Sequence, residues 1–200
     1  MKQRTAVAIS GGVDSLMTAC LLKEQGHQVI GIHFITGFET DSCFTPDPRV
    51  QNEHPILDIG KQLGIPVEIV DIRSEFQGKI VDYFTRTYQR GQTPNPCMRC
   101  NPTIKFGIIL SLALERGAQK LATGHYAIIK KDQTDSYGLF KGFDRQKDQS
   151  YFLARLTGGQ LASALFPLGT MKKTEVKKMA AQRGLQPVTR SACWNLTSCS

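Results

Sequence analysis

The chain has no apolar stretch approaching the roughly 20 residues that a membrane span requires. Its first candidate, Ala6 to Ile9, is stopped at once by Ser10, Gly11 and Gly12, and no secretory leader precedes it. Neither a membrane span nor export is expected. Cysteine is sparse: six residues, at positions 20, 43, 97, 100, 193 and 199, too few and too scattered to staple a small secreted fold. A cytoplasmic protein with reduced thiols follows, and in that setting any special cysteine is reactive or metal-bound. Both common phosphate signatures are missing, the Walker GxxxxGK[ST] and the dinucleotide GxGxxG. Repeats and low-complexity segments are missing too. Acidic residues are in the minority, 17 Asp+Glu against 25 Lys+Arg, for a net charge of +8. That excess favours a polyanionic partner, nucleic acid first, although a basic balance also serves plain solubility.

What is present is a regular alternation of short apolar runs with helical periods. Residues 5–9, 29–35, 67–72 and 121–125 read as strands, and 13–26, 55–63, 76–90 and 104–116 as helices. Strand and helix alternating about every thirty residues predict an α/β fold, a parallel sheet with helices on both faces. Such sheets bind ligands at the carboxyl ends of their strands, where Ser10, Phe34, Asp71 and Gly124 fall. The expected first domain spans 1–126. From 127 to 200 a hairpin (128–131 with 139–143) and two helices (151–165 and 172–183) form a second segment.

The residues with the clearest chemistry lie just after the first strand. Ala8 and Ile9 lead into SGGVDS at 10–15, a glycine turn at the start of a helix. Gly11 and Gly12 permit close backbone approach, and the helix N-terminus presents N–H groups and positive potential to a phosphate. Ser10 and Ser15 add hydroxyls. Val13 starts the helix, and Asp14 orients the loop or holds a magnesium ion. An ordinary strand–turn–helix with a serine cap is the plainer alternative.

SGGVDS resembles the pyrophosphate loop of the ATP pyrophosphatase superfamily, whose members cleave ATP between its α- and β-phosphates to adenylate a substrate. NPCMRCNPTIKF at 95–106 narrows the resemblance, being similar to the NPDxxCNxxIKF stretch of bacterial tRNA-specific 2-thiouridylases. Three further segments agree in order: ATGHYA at 122–127, KDQSYFL at 147–153, and FPLG at 166–169 followed by KTEV at 173–176. The resemblance covers about residues 4–188 and implies an adenine nucleotide alpha-hydrolase-like fold. It further implies ATP with magnesium, tRNA as substrate, and a sulfur-donor or relay protein. The reaction it implies is replacement of the 2-oxygen of a wobble uridine by sulfur. Oxide is a poor leaving group, and adenylation turns it into AMP; a cysteine thiol then suits sulfur delivery. Carried over by position, Ala8 to Ser15, Phe34 and Gly124 form the nucleotide pocket. Asn95, Pro96 and Cys97 meet the target base, Lys147, Asp148 and Gln149 meet tRNA, and Cys100 is the first catalytic cysteine.

The chain departs from the family pattern twice. Cys97 stands where the family has Asp, creating a Cys-x-x-Cys pair. Three uses stay open for it: a small residue in an aspartate's space, an iron–sulfur cluster held by Cys97, Cys100 and Cys199, or a zinc site or disulfide. The second departure is the tail. RSACWNLTSCS at 190–200 replaces a motif like ESQ[DE]ICF, leaving Cys199, or else Cys193, as the second thiol. Adenylation of some other acceptor, or a silent nucleotide-binding module, are the competing functions. His33 and His125 flank the expected pocket, where hydrogen bonding is their commoner use and acid–base work the rarer. Cys20 and Cys43 read as incidental, and Trp194 as a base-stacking or docking residue. Lys172, Lys173, Lys177 and Lys178 make a basic helix surface whose simplest fate is solvation.

Overall fold

The computed structural model describes residues 2–38 and 54–188. Strand β1 (Arg4–Ala8) pairs in parallel with β2 (Gln28–Ile35) on one side and with β4 (Lys120–Ala122) on the other. β2 carries β3 (Val67–Asp71) at its far edge. A two-residue strand, labelled β7 (Ala164–Leu165), closes the opposite edge against β4, giving the parallel order β3-β2-β1-β4-β7. The chain leaves β1 toward β2 and later returns to β1's other side at β4. The topological switch point, where such sheets open a crevice, therefore lies at the carboxyl ends of β1 and β4.

The two faces separate residue by residue. Ala6, Ile30, Ile32, Leu121 and Ala164 point to one core, while Val7, Val29 and Ala122 point to the other. The second core is filled by α1 (Val13–Glu24) and α2 (Ile56–Leu63), through Leu16, Ala19, Leu22, Ile56, Ile59 and Leu63. The first is filled by a helix in three parts: α3 (Arg73–Phe76), a π stretch (Gln77–Val81) and α4 (Asp82–Gln89). Next to it runs a second composite helix of α5 (Pro96–Cys100), a π stretch (Asn101–Ile109) and α6 (Leu110–Glu115), contributing Ile104, Phe106, Ile109, Leu110 and Ala113. Helices thus cover both faces, and the predicted α/β class is the one observed.

The antiparallel hairpin of β5 (Ala127–Lys131) and β6 (Tyr137–Lys141) stands apart from the main sheet. Beyond it, the single helix expected over 151–165 is instead two short ones, α7 (Ser150–Leu153) and α8 (Gly158–Ser163), and then β7. The interruption has a local cause. Thr157 accepts from the Gln160 amide while the Gln160 side chain accepts from the Thr157 amide, a capping box that starts a new helix. The chain continues through a 3-10 turn (Pro167–Thr170) into α9 (Lys173–Gln182), which lays Val176 and Ala180 over Met17 of α1. Among the described residues no helix is long and apolar enough to cross a membrane.

Candidate nucleotide and thiol site

The loop after β1 is built to stay open. Gly11 has φ +86°, a left-handed conformation that a side chain would resist. Gly12 caps α1 with extended backbone, and among the described residues no side chain caps the helix end. The first-turn amides of Val13 and Asp14 therefore have no intrahelical partner and stand ready for an anion. The Ser15 hydroxyl donates to the Gly12 carbonyl at 2.9 Å and accepts from the Ser10 amide at 3.2 Å, so it knits the loop from beneath. Ile9 is buried; its amide reaches the Ile32 carbonyl, and its own carbonyl accepts from His33 Nδ1 at 2.7 Å. The partner being a carbonyl, the His33 proton must sit on Nδ1, a structural use of that histidine.

Asp14 is the centre of a network that joins distant parts of the chain. Lys173, the first residue of α9, places Nζ 2.6 Å from both Asp14 carboxylate oxygens. Tyr126 donates its hydroxyl to Oδ1 at 2.9 Å, and the Lys173 ammonium lies 5.7 Å from the Tyr126 ring centre. Burial, then the Asp14 charge and the hydrogen bond to it, push the Tyr126 phenol far above its usual range, so it stays a donor. The ion pair is largely sheltered, with 22% and 23% of the two side chains exposed. Gly124 approaches the same residue from β4. A Cβ there would lie 2.8 Å from Asp14 Cβ and 3.0 Å from its carbonyl carbon, closer than atoms pack. Gly124 is thus needed for the loop itself to dock, a reason independent of any adenosine. His125 is buried, its Nδ1 2.7 Å from the Thr123 hydroxyl. Burial, and secondarily the charge of Lys105, hold it well below the ordinary histidine range and hence neutral.

The thiol pair sits at the start of its composite helix, which begins at Pro96, earlier than the predicted 104. Asn95 caps it, its Oδ1 accepting from the Met98 amide at 3.1 Å, with Pro96 at the first helical position. Cys97 and Cys100 are one helical turn apart, both half-buried. Cys100 packs against the same large apolar core as Ala8 and Phe34, the latter two lying at the carboxyl ends of β1 and β2. Next to it Asn101 is 2% exposed; its amide donates to the Phe152 carbonyl at 3.0 Å, and its Oδ1 meets no donor among the described residues. At Cys20, burial and then the neighbouring Glu24 raise the thiol above its usual value, which disfavours the thiolate.

The 147–149 segment divides. Lys147 is exposed. Asp148 accepts from the Gly142 and Ser150 amides and the Ser150 hydroxyl. Burial raises its carboxyl, but these bonds together with Lys141 outweigh that and hold it below the usual range. Gln149 exchanges two bonds with the Tyr126 backbone, at 3.0 and 3.1 Å. Asp148 and Gln149 thus brace the strand end that carries Tyr126. Among the described residues no group of three His, Cys, Asp or Glu side chains could hold a metal ion. Cys43, Cys193, Trp194 and Cys199 lie outside the described residues. The approach to the tail is described: the Val188 amide donates to the Gly11 carbonyl at 3.0 Å, bringing the chain back to the glycine loop.

Sequence reading missed Lys173 and Tyr126 as members of the site. The signal was available for both, since each lies in one of the segments that carry the family resemblance. Period alone gives only an amphipathic helix at 173–182 and cannot say that its first lysine turns inward.

A parallel sheet with an open glycine turn and a bare helix N-terminus at its switch point defines an α/β nucleotide-binding domain of the adenine nucleotide alpha-hydrolase type. The chain belongs to the family described as the tRNA methyl transferase HUP domain, whose model matches residues 3–196. It is 45% identical over 195 residues to the tRNA-specific 2-thiouridylase MnmA of Geobacter metallireducens, covering 92% of this chain and 52% of that one. It is 48% identical over 183 residues to that of Desulfosudis oleivorans, covering 92% and 48%. The chain spans about half the length of these curated relatives. Among solved structures, a 4-thiouridine synthetase–RNA complex with bound ATP matches with TM-score 0.51 at 16% identity, over 92% of this chain and 41% of that one. The NMN synthetase of Francisella tularensis matches with TM-score 0.52 at 13% identity, over 91% and 62%. At these identities the structural matches support the fold alone.

Proposed function

We propose that this chain carries out, or forms the catalytic half of, ATP-dependent 2-thiolation of the wobble uridine of tRNA in the cytoplasm. One observation carries the reading. The open Ser10–Ser15 loop at the switch point lies on a sheet whose carboxyl-end residues Ala8 and Phe34 pack against the same cluster as the Cys100 thiol. The strand that leads into the loop and the Cys100 thiol thus border one apolar core, which supports a reading of activation followed by sulfur transfer.

In this reading the amides of Val13 and Asp14, with the Ser10 hydroxyl, hold the phosphates of ATP. Asp14 suits magnesium as a single carboxylate, since that ion is usually held by one or two carboxylates plus the substrate's own phosphates. Magnesium would neutralise phosphate charge there. Lys173, now paired with Asp14, is within reach of the same charge and keeps the carboxylate oriented. The uridine 2-oxygen attacks the α-phosphorus and pyrophosphate leaves. Sulfur arrives as a persulfide on Cys199, supplied by a donor or relay protein. Its terminal sulfur bonds to C2 as the C2–O bond breaks and AMP departs. The Cys100 thiolate then attacks the Cys199 sulfur, releasing 2-thiouridine and leaving a disulfide. The two thiols thereby supply the two electrons that reduce the delivered sulfur, and a thiol reductant resets them. Val188 at the glycine loop supports this, because Cys193 and Cys199 follow within 5 and 11 residues, a tether of up to about 17 and 37 Å at roughly 3.4 Å per residue. Asn95, Pro96 and Cys97 flank the base, and Lys147 faces the RNA. Cys97 serves as a small residue in this account. Cys199, the third ligand named for an iron–sulfur cluster with Cys97 and Cys100, lies outside the described residues.

ATP–pyrophosphate exchange in the presence of tRNA tests the first step. Exchange that requires a tRNA with a wobble uridine is expected; none with any RNA would refute the reading. AMP release independent of tRNA would instead select adenylation of another acceptor.

A further inference from the structure

Beside the thiol helix lies an open groove of about 570 Å³, between the π stretch at 77–81, α4 and the start of α5. Its lining includes Arg86, Arg90 and Arg99, with Tyr83 and Thr93, and Asp82 as the sole acidic residue among those described. Asp82 offsets little, since its closest approach to Arg86 is 4.0 Å and the Arg86 side chain is 74% exposed. The groove is fastened to the thiol segment at two points. Tyr83 Oη accepts from the Asn95 amide at 3.4 Å, and Arg99, which lies between Cys97 and Cys100 on α5, donates Nε to the Lys79 carbonyl at 2.8 Å. The Arg99 guanidinium stacks over the Tyr83 ring at 4.9 Å, which fixes its plane and leaves its remaining N–H groups to the groove.

We propose that this groove is a phosphodiester-binding track, holding the RNA strand that flanks the nucleotide presented to Cys100. The inference rests on the tRNA reading above and deepens it. Three guanidiniums in one channel suit phosphates better than an ammonium surface would, because each offers a planar fork matched to two phosphate oxygens. The groove is lined by Gln92 and Thr93, which lead into Asn95, and by Arg99 of the thiol helix, so a strand lying in it delivers its next nucleotide toward that helix. Placement, rather than gross charge, is the groove's contribution. The exposed Lys177 and Lys178 of α9 carry similar charge but line neither this groove nor the thiol helix.

The test is fluorescence anisotropy of a labelled RNA hairpin with an unpaired uridine in its loop, titrated with the 200-residue chain across salt concentrations. The Arg86→Gln/Arg90→Gln double variant is compared with wild type and with Lys177→Gln/Lys178→Gln, which removes equal charge elsewhere. Thermal melts confirm that the exposed substitutions leave folding intact. The groove variant is expected to bind about tenfold more weakly. Its log K against log salt slope should fall by about 1.4, from about 0.7 per lost phosphate contact on a single strand. The lysine variant should keep the wild-type slope. An unchanged slope in the groove variant, or an equal fall in both variants, would overturn the track while leaving the tRNA reading standing. A wild-type chain that binds no RNA would overturn both. A polyglutamate peptide bound as tightly as RNA, and lost in the groove variant, would make the groove a protein dock instead.

Discussion

Single contacts at Asp14 decide whether the loop is ready for a nucleotide. Its carboxylate holds Lys173 and Tyr126, and its backbone holds Gly124. Lys173→Met removes a charge-assisted pair of the kind worth about 1.5–3 kcal/mol. AMP formation is expected to fall at least about tenfold, with Lys173→Arg restoring part of it; a Lys173→Met enzyme as fast as wild type would remove the lysine from the site. Gly124→Ala is a different kind of lesion. Its new methyl would meet Asp14 backbone at 3.0 Å, so the loop must shift, at a cost of about 1–3 kcal/mol. Denaturant midpoints and ATP titration calorimetry together check this, the expected result being lower stability and weaker ATP binding in one variant.

At the scale of elements, the composite helix 96–115 is what carries Cys100, and it is not self-sufficient. Pro102 supplies no amide, and the carbonyls of Pro102 and Phe106 are taken up by Gln160 Nε2 from α8, at 2.8 and 2.9 Å. The same side chain closes the α8 capping box through its oxygen. Gln160→Ala abandons all three bonds and is expected to lower unfolding free energy by about 2–3 kcal/mol, measured by urea denaturation. How far these elements were legible in the sequence follows from the same physics. The strands and α1, α2 and α9 stand out because each buries a continuous stripe or run, and the glycine loop stands out because its residue types have few other uses. The break at 154–157 and the strand at 164–165 do not. The break depends on Thr157 and Gln160 answering each other, and the strand on β4 having an open edge, a fact about distant chain. The Asp14–Lys173 pair spans 159 residues, and the sequence reading, which left Lys173 on a solvated helix surface, did not anticipate it.

For the whole molecule, burying neutral His125 links folding to pH. Its folded pKa is depressed by burial, whereas in the unfolded chain it titrates near 6.5. Below that value the unfolded state binds a proton that the folded state does not, so stability is full above about pH 6.5 and declines as pH falls. The slope from this group approaches about 1.4 kcal/mol per pH unit. His125→Gln should flatten the stability profile between pH 6.5 and 5 by that one proton, read by urea midpoints at several pH values; an unaltered profile would mean that His125 is protonated in the fold. The strand that leads into the glycine loop and the helix that bears the thiols border one apolar core, and the account stands on loop and thiol working together. The most direct measurement is nucleoside mass spectrometry of tRNA incubated with the chain, ATP, magnesium and a persulfide donor. Wild type is expected to produce 2-thiouridine, and Cys100→Ser none while still releasing AMP. Undiminished 2-thiouridine from Cys100→Ser, or none from a wild type that binds ATP and tRNA, would contradict the account.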